Sequence, residues 1–166
     1  MSKTKLMGSM RRLVFLLISL HLLVGRVWAQ SGQGDDSWRY NPEAVAKVFS
    51  YYALFYKNID KVKELDILEK SYIGSIEDSL KKIHKKIFYF SPDSTAFEEV
   101  LSENATEDLK FHVFAVACKQ ENILRVFYVY VFNWVKSRKC TVAGIHELEP
   151  YEVDKLKEIL KRKYKR

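Results

Sequence analysis

Cys118 and Cys140 are the two residues whose pairing would most constrain this 166-residue chain. In an oxidising compartment two thiols form one disulfide by default. The pairing carries a geometric condition. A disulfide needs Cα atoms within about 7 Å, whereas one straight helix through both cysteines would hold them about 33 Å apart at 1.5 Å per residue. A straight three-stranded meander also sets them at opposite ends of its middle strand. Either the chain between them turns back, or each thiol stays reduced or joins a second chain.

The other reactive side chains are sparse. His84, His112 and His146 show no close His/Cys or HExxH spacing, so no metal site is expected. "HELEP" at 146 puts a histidine beside two acids, which surface placement explains. His112 lies in an apolar run, where a hydrogen-bonded core or edge histidine is the expected role. There is no GxSxG elbow, no cysteine-protease signature and no phosphate-binding glycine loop. From Trp38 onward the only glycines are Gly74 and Gly144. Glu98 and Glu99 are adjacent but need not converge on one substrate. The residue set points to a non-enzymatic protein with no cofactor.

The N-terminal 29 residues read as a secretory signal peptide. Lys3, Lys5, Arg11 and Arg12 form a positive region, Leu13 to Val24 an apolar one, and "VWA" prepares a cut after Ala29. The apolar run is shorter than the roughly 20 residues a spanning helix needs. The protein is therefore expected to be secreted and not membrane-spanning after cleavage. That cut removes five of the 28 basic residues and no acid, leaving 23 basic against 21 acidic side chains. The whole-chain charge of +7 is therefore no argument for nucleic acid. Lys161, Arg162, Lys163, Lys165 and Arg166 carry five positive charges in the last six residues. They suit either a helix C-terminus or contact with a polyanion such as glycosaminoglycan or an anionic membrane surface. Lys81, Lys82, Lys85 and Lys86 form a second, local basic face. "NAT" at Asn104 is a glycosylation sequon, suited to a surface loop of an exported chain.

These residues need elements to position them. Residues 30–37 are small and polar and read as a flexible leader, with a single globular domain over 38–166. Asn41-Pro42 has the form of an N-cap with proline at the first helical position. Val45, Val48, Phe49, Tyr52, Phe55 and Tyr56 continue the helical spacing. A second helical pattern runs from an Asp60 cap to Ile87, with a break at Gly74. Ser91-Pro92-Asp93 reads as a turn, and Thr95 with Glu98 as a capping box for a short helix to about Leu101. Pro150 opens a last helix striped by Val153, Leu156, Ile159, Leu160 and Tyr164.

Residues 109 to 148 are the ambiguous part. "ILRVFYVYVFNWV" is apolar on nearly every face, so its period cannot separate a strand from a buried helix. Its valine and aromatic content favours a pleated surface. The spacing predicts strands at about 109–118 and 123–135, joined near Gln120-Glu121-Asn122, with a third in "KCTVAGIHEL" after a bend near Lys136 to Arg138. The middle strand is expected to be buried on both faces. The fold class is α+β, with N-terminal helices on a small antiparallel sheet and a C-terminal helix. An all-α bundle, with helices at about 105–119 and 123–138, is the alternative.

"SWRYNPEAVAKVF" resembles sperm lysins, helical egg-coat proteins, over about a dozen residues. The valine-rich run and near-neutral mature charge depart from that family. "CTVAG", with helices preceding strands, loosely resembles cystatin-like curved-sheet domains. Neither carries a diagnostic motif. The remaining signal is aromatic: Tyr51, Tyr52, Phe55 and Tyr56, then Phe127, Tyr128, Tyr130, Phe132 and Trp134. Most belong to a core, and the tyrosines also suit protein interfaces. The expected function is non-covalent binding to an extracellular or cell-surface protein. The alternatives are a carrier of a small apolar ligand, with aromatics lining a pocket, and a helical cytokine-like signal.

Overall fold

Asn41 starts the helical layer. Its side-chain oxygen accepts from the backbone N–H groups of Glu43 (2.9 Å) and Ala44 (3.2 Å), with Pro42 at the first position as the sequence anticipates. The computed structural model of the chain describes residues 36–86, 96–120 and 123–165. The expected signal peptide, the Ser91-Pro92-Asp93 turn, Thr95, Glu121, Asn122 and Arg166 lie outside the described residues. Helix α1 spans Pro42–Ser50 and buries Val45, Ala46, Val48 and Phe49. It then widens into a π-helical segment, Tyr51–Phe55. Asp36–Tyr40 forms a 3₁₀ turn that includes the last two residues of the expected leader.

The long second helix of the sequence reading is two helices. Helix α2 spans Ile59–Glu64, and its cap is Asn58, whose side chain accepts from the Lys61 N–H at 3.0 Å. The expected cap, Asp60, is inside the first turn. The break falls at residues 65–72 rather than at Gly74, because this stretch is drawn to the sheet. Leu68 pairs in parallel with Val142, the Val142 N–H donates to Ile67 O (2.7 Å), and the Glu69 N–H donates to Val142 O (2.8 Å). A 3₁₀ turn at Lys70–Tyr72 follows, then helix α3, Ile73–Lys86.

Four antiparallel strands make one sheet in chain order: β1 (Ala96–Asn104), β2 (Leu109–Gln120), β3 (Ile123–Trp134) and β4 (Lys139–Glu147). The α+β class is thereby established, and the all-α alternative does not hold. The three strands expected after residue 109 are present. Pairing runs from Leu109↔Trp134 to Gln120↔Ile123 without interruption. Between β3 and β4 the absent glycine is replaced by Arg138, which takes φ 49°.

The short helix expected near 95–101 is instead the edge strand β1. Capping-box spacing is a weak local signal, and tertiary pairing overrides it. Here β2 offers an open edge, and Phe97 stacks on Phe114 at 5.2 Å.

Strand periodicity then sorts the sheet into two faces. On one, Phe114, Val116, Phe127, Val129, Val131 and Val142 are buried against α1, α2 and α3. Helix α4, Pro150–Lys163, packs Leu156 with Val153 and Leu160 onto the other face, over Ala115, Val126 and Tyr128. The middle strand is thus fully buried only toward α1–α3; on the α4 side Tyr128, Tyr130, Phe132 and Trp134 are half-buried. No helix among the described residues is long and apolar enough to cross a membrane.

The cysteines end up apart. Cys118 lies opposite Arg125 and Cys140 opposite Asn133, which places them eight residues apart along β3. That is roughly 27 Å at 3.4 Å per residue, against about 7 Å for a disulfide. A Cys118–Cys140 bridge within one chain is incompatible with this sheet. Both residues are buried.

Candidate functional site

The i, i+2 spacing of Tyr128, Tyr130, Phe132 and Trp134 puts all four rings on the face of β3 that α4 only partly covers. The register brings Phe111 opposite Phe132. Phe111 stacks nearly parallel on Tyr130 (5.9 Å, 8°) and meets Phe132 edge-on at 5.9 Å. Phe132 meets Trp134 at 6.0 Å, Tyr128 meets Tyr130 at 6.4 Å, and Tyr72 closes the row on Phe132 at 6.1 Å. The six rings form one continuous aromatic surface, from beneath α4 to the turn that precedes α3.

Gly144 makes room for it. It pairs with Tyr130, and a Cβ at this position would sit 3.2 Å from the Tyr130 ring. A side chain there would require the ring to give way by a few tenths of an ångström. Burial raises the pKa of the Tyr128 and Tyr130 phenols, and the nearby Glu152 charge adds to the effect. Both stay neutral at physiological pH, as hydrogen-bonding tips on apolar plates.

Glu69 fixes the far end. Its Oε2 accepts from Thr141 Oγ1 at 2.7 Å and from Trp134 Nε1 at 3.2 Å. The carboxylate therefore orients the indole and satisfies the hydroxyl of Thr141, which is buried. Beside it, Lys139 pairs with Asp66 at 3.0 Å, and this hydrogen bond lowers the Asp66 pKa. A shallow depression of about 250 Å³ lies among Glu69, Lys70, Trp134, Ser137 and Lys139. A second, of about 240 Å³, lies between α2 and α3 at Lys63, Glu77 and His84. Both fall short of the roughly 300–1,000 Å³ typical of small-molecule sites. The space between helices and sheet is filled by Phe49, Phe114, Phe127 and Leu54. Tyr52 and Phe55 pack against that core rather than lining a chamber.

Each histidine among the described residues has a structural partner. His84 Nε2 meets the Ala53 carbonyl at 2.6 Å, at the end of the π-helical segment. His112 is buried with Nδ1 2.6 Å from Glu99 Oε1. His146 Nε2 lies 3.1 Å from Glu152 Oε2, which also accepts from the Glu149 N–H at 2.8 Å and so closes the first turn of α4. Those bonds, the backbone one first, lower the Glu152 pKa. Among the described residues no three His, Cys, Asp or Glu side chains cluster as metal ligands.

Asn104 is exposed at the end of β1, where the chain enters the β1–β2 turn. The basic tail divides. Lys161, Arg162 and Lys165 are exposed. Lys163 instead reaches β1, donating to Glu98 Oε1 (2.6 Å) and to the Glu99 carbonyl (2.9 Å). Tyr164 joins it: burial and a hydrogen bond to Glu98 push its phenol up to about 12. Lys163 thus has a structural role that its place in a basic run did not reveal. On α3, Lys81 pairs with Asp78 (3.3 Å) and Lys86 with Glu147 (3.6 Å), so half of that basic face is also engaged.

Phe111, Tyr72, Glu69 and Gly144 belong to the aromatic surface and were not singled out for it from sequence. The period-two spacing of the β3 aromatics was the available signal; the rest required the register. Comparison with known proteins finds no matching family model, no matching curated protein and no matching solved structure.

Proposed function

We propose that this protein is exported and acts by non-covalent recognition of an extracellular or cell-surface protein, through the aromatic face of its sheet. The observation that carries this reading is the row of six touching rings, Tyr72, Phe111, Tyr128, Tyr130, Phe132 and Trp134. Tyr72 is 43% exposed, and Leu101 beside the row on β1 is 42% exposed. Rigid aromatic side chains with polar tips supply much of the binding energy at protein interfaces. The sheet and Glu69 hold these rings in place before any partner arrives, which lowers the ordering cost of binding. The apolar N-terminal segment and the exposed Asn104 sequon support export and glycosylation.

The test uses protein recovered from the medium of secretory cells. It should begin at Gln30 and lose mass on enzymatic deglycosylation unless Asn104 is replaced by Gln. It should bind saturably to cells, and protease treatment of the cells should remove the binding. Tyr130→Ser with Phe132→Ser should weaken binding about 30-fold, the scale of a 2 kcal/mol hot spot. The milder pair Tyr72→Ala with Leu101→Ala perturbs only exposed side chains and should also weaken it. Protease-resistant binding, or wild-type binding by both folded variants, would overturn the reading.

A further inference from the structure

The two outer edges of the sheet are treated differently. The β4 edge is bridged at its middle by the chain itself, through the Ile67 and Glu69 backbone bonds to Val142. Strand β1 is the other edge, and among the described residues no strand lies beyond it. An open nine-residue edge strand is a template for another extended chain. The end of α4 reaches it: Lys163 donates to Glu98 Oε1 at 2.6 Å and to the Glu99 carbonyl at 2.9 Å, and Tyr164 hydrogen-bonds the same Glu98. A bulge in the pairing falls at this position, between Glu99 and Leu101.

We infer that the β1 edge is a docking site for an extended, lysine-bearing segment of a partner protein, which adds a fifth strand and displaces Lys163. Charge selects this occupant. Strand β1 carries Glu98, Glu99 and Glu103 and no basic residue. A second copy of β1 would bring acids against acids, and like charges across a strand pair are unfavourable. A lysine on the incoming strand would find the acceptors that Lys163 now uses, so the chain's own lysine marks the position and the sign of the ligand. Displacement is easy because Lys163 and Glu98 are partly solvated, at 48% and 22% side-chain exposure, and pairs of this kind contribute little. An added strand would continue the face that carries Leu101 and Phe111. The inference therefore deepens the recognition reading, as a backbone-mediated extension of the same surface.

The test needs no cells, so its failure leaves the aromatic-face reading to the cell-binding assay. The probe is a synthetic acetylated peptide of alternating lysine and valine, eight residues long, with a twin N-methylated at alternate residues. Hydrogen exchange of the β1 amides should slow on adding the peptide, and the twin should have no effect. Lys163→Ala should raise peptide affinity roughly two- to five-fold, the scale of an exposed ion pair, and Glu98→Lys should lower it at least as much. Three results would each overturn the inference: equal binding of the twin, unchanged affinity in the Lys163 variant, or a Lys163→Ala protein that self-associates without peptide.

Discussion

Replacing Glu69 by Ala tests whether one carboxylate holds both the β4 edge segment and the end of the aromatic row. The change removes the acceptor for Thr141 Oγ1 and Trp134 Nε1. The Thr141 side chain is only 3% exposed, so its hydroxyl would lose a partner that water replaces poorly. Hydrogen bonds to a charged group are worth about 1.5–3 kcal/mol when buried, and these are only partly so. The pair should therefore contribute about 2–3 kcal/mol. With a urea slope near 2 kcal/mol per molar for a domain this size, the unfolding midpoint should fall by roughly 1 M. Glu69→Gln keeps an oxygen where Oε2 stands and loses only the charge, so it should cost under about 1 kcal/mol. Thr141→Val preserves shape and deletes one donor. A double-mutant cycle between Glu69→Ala and Thr141→Val should show coupling of about 1 kcal/mol. A loss below about 0.5 kcal/mol for Glu69→Ala, or no coupling in the cycle, would refute the assigned role.

Four further outcomes follow from the sequence and the geometry. Burial pushes the Cys140 thiol up to about 11, so alkylation at pH 8 should be far slower in the native protein than in urea; because the folded pKa lies above the ordinary 9.0, its contribution to stability is complete below pH 9 and is lost as pH rises from 9 to 11. Non-reducing peptide mapping of the monomeric fraction of the same protein should find no Cys118–Cys140 peptide. Arg138→Gly should stabilise by about 0.5–1 kcal/mol in thermal unfolding, since a left-handed conformation costs a non-glycine residue roughly 1–2 kcal/mol and φ there is 49°. Neutralising Lys161, Arg162, Lys165 and Arg166 while keeping Lys163 should reduce retention on heparin in a salt-dependent way; unchanged retention would show that the tail only ends a solvated helix.

The strands after residue 109 were legible because valine and aromatic content decided what hydrophobic period could not. The Asn41-Pro42 start was legible for a different reason: an N-cap is a local interaction, complete within four residues. The two larger errors share one cause. The break at residues 65–72 and the strand β1 are both set by pairing with distant segments, Val142 in one case and β2 in the other, whereas the cap moved only locally, from Asp60 to Asn58. Thr95 and Glu98 have capping-box spacing, but a motif worth about 1 kcal/mol does not outweigh a full ladder of strand pairs. Lys163 shows the same limit on the surface: its position in a basic run suggested a polyanion, whereas its bonds go to β1. The aromatic face was half legible. Spacing on β3 aligned four rings, but Phe111 and Gly144 join only through the register.

The bridge between Leu68 and Val142 also sets an order of events during synthesis. Ribosomes add about 5–20 residues per second and domains fold as units. When residues 67–69 leave the exit tunnel, their partner strand does not yet exist; α3 and the first three strands must be made before it. The N-terminal helices therefore wait with their apolar faces open until nearly the whole chain is out. A stalled or truncated chain lacking β4 would lose both the partner of that segment and the surface on which α3 packs. Such a fragment should be a client for chaperones rather than a smaller version of the domain.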